Sequence, residues 1–355
     1  MALMGLANWV LNQLNISSAL DRAPKSSAKD TFTPADHFDI NAHRLHTQRI
    51  MASKLGSRES KAHGYDPNFT DVVIAATGPN ANPRLAQIMP SLLRHLHDFA
   101  REVNLTVAEW TAGVELINQA GQISDGKRNE TQLVCDVLGL ESLVDEITSK
   151  ILQQQGSTAT PSAVLGPFYR EDAPILHNGS SIVASTGVTE WDAAAAEMLT
   201  HLSGRVLSTA TGQPIPNAIV DAWEAGPNGM YEQQDPGQPD MNLRGRFRTD
   251  EQGRYSMICL RPTAYPIPFD GPAGRLLKLL DRHPYRPAHV HFIVSADGHR
   301  PLTTQIFDSE DKYTKDDAVF AVKKELLVTF KEAKAAHAGD GVKWELEYDF
   351  HLAEA

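Results

Sequence analysis

The sequence is poor in the residues that build several common kinds of site. Only two of its 355 residues are cysteines, Cys135 and Cys259, which argues against a disulfide framework or a zinc–thiolate cluster. No block of lysine and arginine interrupts a chain whose net charge is -11, so no nucleic-acid or anionic-membrane surface is expected. We therefore expect a reducing, cytoplasmic setting and no nucleic-acid partner.

Long apolar runs are also missing, because none reaches the roughly 18–20 residues that a membrane-spanning helix requires. The stretch from Met1 to Leu20 is apolar, but it has no basic start and no small-residue cleavage site before Asp21. We expect it to form a first helix that packs on the body or on a second subunit. With 41% hydrophobic residues, the chain can bury a sizeable core in one large or two smaller domains.

The first part of the chain has the periodicity of helices. Apolar residues recur at helical spacing from Leu85 to Phe99, with Pro90 inside the stripe. Thr106 and Glu109 have the spacing of a capping box before a second helix, and a third is predicted from Leu143 to Leu152. These patterns predict a helical domain over residues 1–155.

After a polar stretch from Gln153 to Pro161, the periodicity changes to that of strands separated by glycine and proline. Such a pattern predicts a β-sandwich domain over residues 156–355, and hence an α+β protein. The strands that read most clearly are Leu202–Leu207, Ala218–Trp223 and Arg254–Cys259. Further predicted elements are a short helix at Leu276–Leu280, a late helix at Val319–Lys334 and a closing strand at Val342–Leu352.

His289 and His291 are the most informative residues of this second domain. Residues two apart on a strand point to the same face, so the two imidazoles can lie side by side. An exposed polar strand face would give the same pattern, but Val290, Phe292 and Ile293 indicate a strand close to the core. Unpaired imidazoles would be costly there, which favours a metal site.

Two tyrosines lie in loops that proline and glycine constrain tightly. Tyr169 follows Gly166-Pro-Phe, and Tyr265 precedes Pro-Ile-Pro-Phe-Asp-Gly-Pro. Either could be a surface aromatic in a turn. Together with the histidine pair, they suggest two phenolates and two imidazoles around one metal ion.

At this point the sequence resembles the intradiol ring-cleavage dioxygenases. Three segments carry the family's signatures, and Asn242–Phe247 and Leu302–Gln305 add to a match that runs from about residue 35 to residue 352. The three segments are Gly166–Tyr169, Tyr265–Pro272 and Arg286–His291. The resemblance implies Fe(III) held by Tyr169, Tyr265, His289 and His291 in a β-sandwich domain. It also implies a helical dimerisation domain, a homodimer with phospholipid bound at its interface, and O2 as a substrate.

The resemblance also assigns roles. Tyr265 leaves the metal when a diol binds and takes up the proton of the incoming hydroxyl group, whereas Tyr169 stays. Arg286 has a fixed positive charge and can stabilise negative charge on the ring, and Gln305 can form hydrogen bonds within the site. Taken alone, Arg286 would be a surface salt-bridge partner and Gln305 an ordinary strand residue.

Tyr265-Pro-Ile-Pro268 is similar to the hydroxyquinol and chlorocatechol branches of the family, and Leu133-Val-Cys-Asp136 is similar to the hydroxyquinol branch. Asp136 could accept a hydrogen bond from a third ring hydroxyl, although an exposed helix position would also explain it. The predicted substrate-binding residues are Leu133, Asp136, Leu165, Gly166, Pro167, Phe168, Ile267, Pro268, Arg286 and Val319. We expect hydroxyquinol (benzene-1,2,4-triol) to be cleaved to 3-hydroxy-cis,cis-muconate, or maleylacetate.

Three alternatives stay open. The first is a catechol 1,2-dioxygenase that gives cis,cis-muconate. The second is a sandwich-type binding module without metal or catalysis. The third is a zinc or copper hydrolase that uses only His289 and His291.

Overall fold

A computed structural model describes residues 66–126, 128–154, 158–334 and 341–355 of the chain. The helix predicted at Met1–Leu20 lies outside these residues. The described residues form two compact units, 66–112 and 113–355. The helical residues between 113 and 154 are therefore grouped with the strands that follow them. The predicted domain boundary at residues 155–156 stays a prediction.

The first unit is helical, as predicted. It contains α1 (Phe69–Ala75), α2 (Pro83–Glu102) and the beginning of α3 (Val107–Gln122). The side chain of Asn82 caps α2 by accepting hydrogen bonds from the backbone N–H groups of Arg84 and Leu85. The capping box of α3 is confirmed, because the Glu109 carboxylate accepts from the Thr106 N–H at 2.9 Å and the Glu109 N–H donates to Thr106 Oγ1 at 3.3 Å.

Four further helices belong to the second unit. They are α4 (Glu130–Val137), α5 (Leu140–Gln154), α6 (Thr189–Met198) and α7 (Pro272–Leu279). Helices α5 and α7 cover predicted helices, whereas α4 and α6 were not predicted. Gly139 separates α4 from α5 at a φ of 71°, a conformation that glycine adopts without a steric penalty.

Two mixed sheets form the rest of the second unit. The strands of the first sheet are β1 (Ile175–Leu176), β3 (Ile219–Trp223), β4 (Arg244–Arg248), β8 (His289–Ser295), β9 (Leu302–Asp308) and β10 (Leu327–Val328). Those of the second are β2 (Leu199–Ser208), β5 (Arg254–Leu260), β11 (Lys331–Glu332), β12 (Trp344–Glu347) and β13 (Phe350–Leu352). The six-stranded first sheet has the order β1-β4-β3-β8-β9-β10, and β2 is the centre of the second sheet. A separate pair joins β6 (Tyr265–Pro266) to β7 (Tyr285–Arg286).

The predicted β-sandwich is confirmed by the core between the two sheets. Val220, Val290 and Phe292 of the six-stranded sheet share one apolar cluster with Leu202 and Met257 of the other. All five side chains are fully buried. Because side chains alternate along a strand, the residues between them on β3 and β8 must face the opposite side of the six-stranded sheet.

The late helix predicted at Val319–Lys334 is wrong. The segment contains a short 3-10 helix at Lys324–Leu326 and the strands β10 and β11. Val328 and Phe330 enter the core on either side of the exposed Thr329. The alternation at Val328, Thr329 and Phe330 has the period of two of extended backbone, and this short apolar run also fits a helical spacing.

The closing strand predicted at Val342–Leu352 is two strands, β12 and β13, which both pair with β2. The chain leaves the sheet between them, where the Tyr348 N–H donates to the Ser203 carbonyl at 2.8 Å. A Cβ atom at Gly204 would lie 1.8 Å from the Tyr348 carbonyl oxygen. Only glycine therefore fits opposite this break.

Candidate active site

A row of side chains crosses the outer face of the six-stranded sheet. His291 on β8 pairs in register with Gln305 on β9 and with Trp223 on β3, and Trp223 pairs with Arg244 on β4. Paired residues on neighbouring strands point to the same face. All four are buried, so the alternative of an exposed polar strand face is excluded.

Four polar atoms converge above this row. His289 Nε2 lies 3.1 Å from His291 Nε2, which lies 3.1 Å from the hydroxyl oxygen of Tyr231. The hydroxyl of Tyr231 lies 3.4 Å from that of Tyr265. Ligands that share one tetrahedral metal ion at about 2.0–2.1 Å lie about 3.3–3.4 Å apart, so these separations fit a common ion.

The histidines are held in the form that binds metals. His289 Nδ1 lies 2.7 Å from the carbonyl oxygen of Pro287 and donates to it, which leaves the lone pair on Nε2. Burial, with the charge of Arg286, holds the pKa of His289 well below its usual range. Burial, His289 and Arg286 do the same to the pKa of His291, so both imidazoles are neutral.

The pKa values of the two phenols are raised, so burial keeps both of them protonated. Burial and the neighbouring Tyr265 raise the pKa of Tyr231 well above its usual value. Burial also raises the pKa of Tyr265, although Arg286 opposes the shift. Both phenols therefore need a local cation before they ionise, and a metal ion supplies such a charge. Within the described residues no three His, Cys, Asp or Glu side chains group around a metal, so the phenol oxygens are needed to complete a donor set.

Tyr169 does not join this cluster, which corrects the predicted ligand set. Its half-buried ring packs against Trp223 with 5.1 Å between ring centroids, and no hydrogen bond links it to the cluster among the described residues. Burial raises its pKa, and the next contribution comes from Asp221 rather than from the histidines or Arg286. The fourth polar atom of the cluster is instead the hydroxyl oxygen of Tyr231.

The loop of Tyr169 reaches the site through two other residues. A Cβ atom on Gly166, whose φ is 75°, would lie 3.3 Å from His291 Cε1. Phe168 stacks on Tyr231 with 4.6 Å between the ring centroids. The segment therefore lies beside the cluster, but Gly166 and Phe168 approach the cluster whereas Tyr169 does not. The sequence pattern of Tyr231 is similar to that of Tyr169, because Tyr231 also lies next to a glycine- and proline-containing loop, Gly226–Gly229, shortly after a predicted strand.

Arg286 is fixed beside the cluster instead of lying on the surface. Its guanidinium contacts His289 Nε2 at 3.1 Å and donates to Gln305 Oε1 at 2.8 Å. Asp317 accepts two further hydrogen bonds from it, at 3.1 and 3.2 Å. Burial alone would lower the pKa of Arg286, but Asp317 and Tyr265 outweigh it and leave the pKa raised. A permanent cation therefore lies within the site.

Gln305 is likewise a buried member of the site, not an ordinary strand residue. Its side-chain oxygen accepts from Arg286, and its amide nitrogen donates to the Val164 carbonyl at 2.6 Å. It therefore connects the arginine to the loop that contains Gly166.

The predicted pocket residues come together only in part. One apolar cluster contains Leu133, Phe168, Ile267 and Val319 together with Tyr231 and Tyr265, and Leu165 packs against it. Asp136 is almost fully buried on α4, so it is not an exposed helix residue. Pro167 and Pro268 are half-buried, and their contact with substrate stays a prediction.

Comparison with known proteins identifies the class of this fold and site. Residues 165–354 match the family model described as dioxygenase, and residues 82–156 match the catechol dioxygenase N terminus. The chain belongs to the intradiol ring-cleavage dioxygenases and is an enzyme of that type.

Several relatives are similar over most of their length. Catechol 1,2-dioxygenase of Candida albicans is 46% identical over 288 residues, 80% of this chain and 91% of that protein. Hydroxyquinol 1,2-dioxygenase of Rhizobium sp. is 41% identical over 307 residues, 83% of this chain and 99% of that protein. The crystal structure of hydroxyquinol 1,2-dioxygenase from Pseudomonas putida superposes with a TM-score of 0.69 at 38% identity, covering 81% of this chain and 98% of that one. In the described part of the chain, no helix is long and apolar enough to cross a membrane.

Proposed function

We propose that this enzyme cleaves hydroxyquinol between its two vicinal hydroxyl carbons, using a ferric ion held by Tyr231, Tyr265, His289 and His291. The observation that carries the proposal is the convergence of two phenol oxygens and two imidazole nitrogens at 3.1–3.4 Å in a buried site. Phenolate is a ligand that proteins use for iron, and two phenolates offset two of the three charges of Fe(III). When bound, the ion would hold the two diol oxygens and make the ring reactive toward O2.

Tyr265 is the residue that takes up a substrate proton in this proposal. Its hydroxyl is hydrogen-bonded to Arg286, which favours the ionised form, whereas Tyr231 is enclosed by the stacked ring of Phe168. Tyr265 also lies on the two-residue strand β6 rather than in the sandwich sheets. It is therefore the phenol better placed to move and to act as a base.

Arg286 stabilises negative charge that develops on the substrate ring. It is buried, permanently charged and already oriented by Asp317 and Gln305, so no reorganisation is needed during the reaction. Gly166 and Phe168 limit the access of water on the same side of the site, because a Cβ atom at Gly166 would already lie 3.3 Å from His291 and the Phe168 ring stacks on Tyr231.

Asp136 supports hydroxyquinol as the substrate. The carboxyl group is buried close enough to Arg286 to feel its charge, and its Oδ1 atom has no hydrogen-bond partner among the described residues. A third ring hydroxyl would provide one. A ring without that hydroxyl would leave a buried polar group unpaired, which discriminates against it.

Catechol is the second candidate, and the 46% identity to a catechol 1,2-dioxygenase favours it. The test is the ratio of kcat/KM for benzene-1,2,4-triol to kcat/KM for catechol, measured by oxygen uptake. We expect the ratio to exceed about ten, which corresponds to about 1.4 kcal/mol. A ratio below one would assign catechol as the substrate.

The iron content separates an enzyme from a binding module. Purified protein is expected to contain one iron per chain and to absorb visible light through tyrosinate-to-iron charge transfer. Anaerobic addition of the triol should shift this band, because the substrate oxygens then join the ligand set. Colourless protein that takes up no iron would support the binding module, and zinc or copper in its place would support the hydrolase.

We further propose a homodimer formed through the helical region up to residue 155, with a phospholipid at its interface, in the cytoplasm. Apolar side chains that are half-exposed or more support an interface on residues 66–112. They are Phe69, Val72, Leu96, Phe99, Val103, Val107 and Trp110. Both cysteines are free thiols, as a reducing compartment requires. Sedimentation and lipid extraction test the dimer and the lipid separately.

A further inference from the structure

The first turn of α5 connects two walls of the substrate pocket. The carboxylate of Glu141 accepts a hydrogen bond from the Leu165 N–H at 3.1 Å, and the Ser142 hydroxyl donates to the Val319 carbonyl at 2.7 Å. Leu165 begins the loop that contacts His291 through Gly166, and Val319 shares an apolar cluster with Tyr231 and Tyr265. Two consecutive residues therefore fix two separate segments around the substrate.

Glu141 also contacts the residues of α4 that face the pocket. Gln132 Nε2 donates to its second oxygen at 3.1 Å, and Asp136 shares a hydrogen bond with its carboxyl group. All three side chains are buried. Two carboxyl groups can share a hydrogen bond only when one of them carries a proton, since ionised carboxylates are acceptors alone.

The surroundings decide which carboxyl group carries that proton. Glu141 accepts from an amide and a backbone N–H, and it lies at the N-terminal end of α5, where the helix dipole favours negative charge. Among the described residues no amide or backbone N–H donor is seen for the Asp136 carboxyl group, and its Oδ1 is buried without a partner. Burial and the hydrogen bond to Glu141 raise the pKa of Asp136 well above its usual range. Asp136 is thus the neutral acid, and Glu141 is the carboxylate.

We propose that Glu141 is a positioning residue for substrate specificity: it accepts a hydrogen bond from the protonated carboxyl group of Asp136 and so presents that neutral, oriented group to the third hydroxyl of the ring. This inference rests on the proposed function and deepens it, because it names the form in which the pocket recognises the substituent. A neutral carboxyl group whose proton is engaged by Glu141 has an oxygen left to accept from an un-ionised ring hydroxyl.

The test compares the triol-to-catechol ratio of kcat/KM among full-length, iron-loaded variants. Glu141→Gln is expected to lower the ratio about tenfold, because a buried hydrogen bond and its orientation are lost. The kcat/KM for catechol should fall by a smaller factor, because the glutamine side chain still offers an oxygen to the Leu165 N–H. Glu146→Gln is the matched control, since Glu146 is an exposed acid on the same helix.

Substitutions of Asp136 provide the second arm and do not depend on how well Glu141→Gln folds. Asparagine has a neutral donor and an acceptor at the same positions as a protonated aspartate, so Asp136→Asn should keep most of the ratio that Asp136→Ala loses. Equal loss in both variants, or a ratio that Glu141→Gln leaves unchanged, would overturn the inference. Wild-type protein that cleaves neither ring would instead contradict the proposed function, so the two failures are distinguishable.

Discussion

The same strands form both faces of the six-stranded sheet, but the inner face packs in the core and the outer face contains the polar cluster. On the inner face, Val290 and Phe292 are buried against the second sheet, and apolar area removed from water stabilises the fold. On the outer face, His289, His291 and Gln305 are buried to the same extent, yet they form hydrogen bonds and polar contacts within the site. The degree of burial therefore does not indicate the role of a residue on this sheet. The face to which its side chain points does, and that face alternates from one residue to the next along each strand.

The sharpest way to break this comparison is to truncate neighbours on opposite faces. His291→Ala should reduce iron affinity by well over the roughly 10–100-fold that loss of a mere outer-sphere partner costs. The variant should lose its visible absorption and its activity. Val290→Ala should keep its iron and colour but lose about 2 kcal/mol of unfolding free energy through the cavity it leaves. Metal analysis and denaturant unfolding of both variants check the pair, and a colourless Val290→Ala protein would contradict it.

Two tyrosines near the outer face, Tyr231 and Tyr169, differ in whether they contact the polar cluster. Tyr231→Phe removes an oxygen that lies 3.1 Å from His291 Nε2, so the charge-transfer band should weaken and shift and iron should be held less tightly. Tyr169→Phe should leave the band in place, because the Tyr169 ring contacts Trp223 and not the cluster. Visible spectra of the iron-loaded variants decide between them. The opposite result would restore Tyr169 as the ligand.

These comparisons indicate which parts of the site a sequence can predict. His289 and His291 could be predicted because their relation is local, two positions on one strand, and the β-sandwich could be predicted from the change of period. Tyr231 lies 60 residues from His291 along the chain, and their contact depends on the strand order β3-β8. Alternation along single strands does not determine that order.

The contacts that hold the site residues in place could not be predicted from the sequence either. Asp317 lies 31 residues from Arg286, and Glu141 lies 24 from Leu165. Each is an ordinary acid in the sequence, and only its burial beside donors from distant segments reveals its role. The wrong helix at Val319–Lys334 has a related cause, because its apolar spacing fitted both periods until pairing with β9 selected the strand.

The outer face also contains a buried ion pair between Arg286 and Asp317. Its contribution to the unfolding free energy can be measured by removing one of the two charges. Asp317 also accepts from the Val319 and Ala321 N–H groups at 3.1 Å each, so it orients both the arginine and the pocket wall. Removing one partner of a buried pair costs about 3–5 kcal/mol. Asp317→Asn should lose stability in this range, and its kcat should fall while iron is retained.

Asp316→Asn is the matched control for this pair. The Asp316 side chain is 79% exposed, and its ion pair is with His283 on the surface. Surface changes of this kind stay within about 0.5 kcal/mol. Unfolding by denaturant and steady-state kinetics of both variants provide the measurements. Equal effects at positions 316 and 317 would mean that the charge of Asp317 has no special part in orienting Arg286.

The inner side contains a buried acid, Glu224, whose expected effect on the unfolding free energy is small for each pH unit but accumulates as the pH rises. Glu224 follows β3 directly and accepts from the Leu260 N–H of the opposite sheet at 2.8 Å, and its other oxygen has no partner in the described structure. Burial raises the pKa of Glu224 from its usual value near 4.5 to about 8. Between these values the unfolded chain releases the proton and the folded chain keeps it, so folding stability falls as pH rises.

Glu224→Gln should remove this dependence, because glutamine stays neutral at every pH in the range. The unfolding free energy of the wild type should therefore fall relative to that of the variant by about 1 kcal/mol per pH unit between pH 5 and 8. Denaturant titrations at several pH values measure the difference, and Glu251→Gln at an exposed turn is the control. Parallel pH profiles for the wild type and Glu224→Gln would show that Glu224 is ionised in the folded state, and that the inner face, like the outer one, accommodates a buried charge.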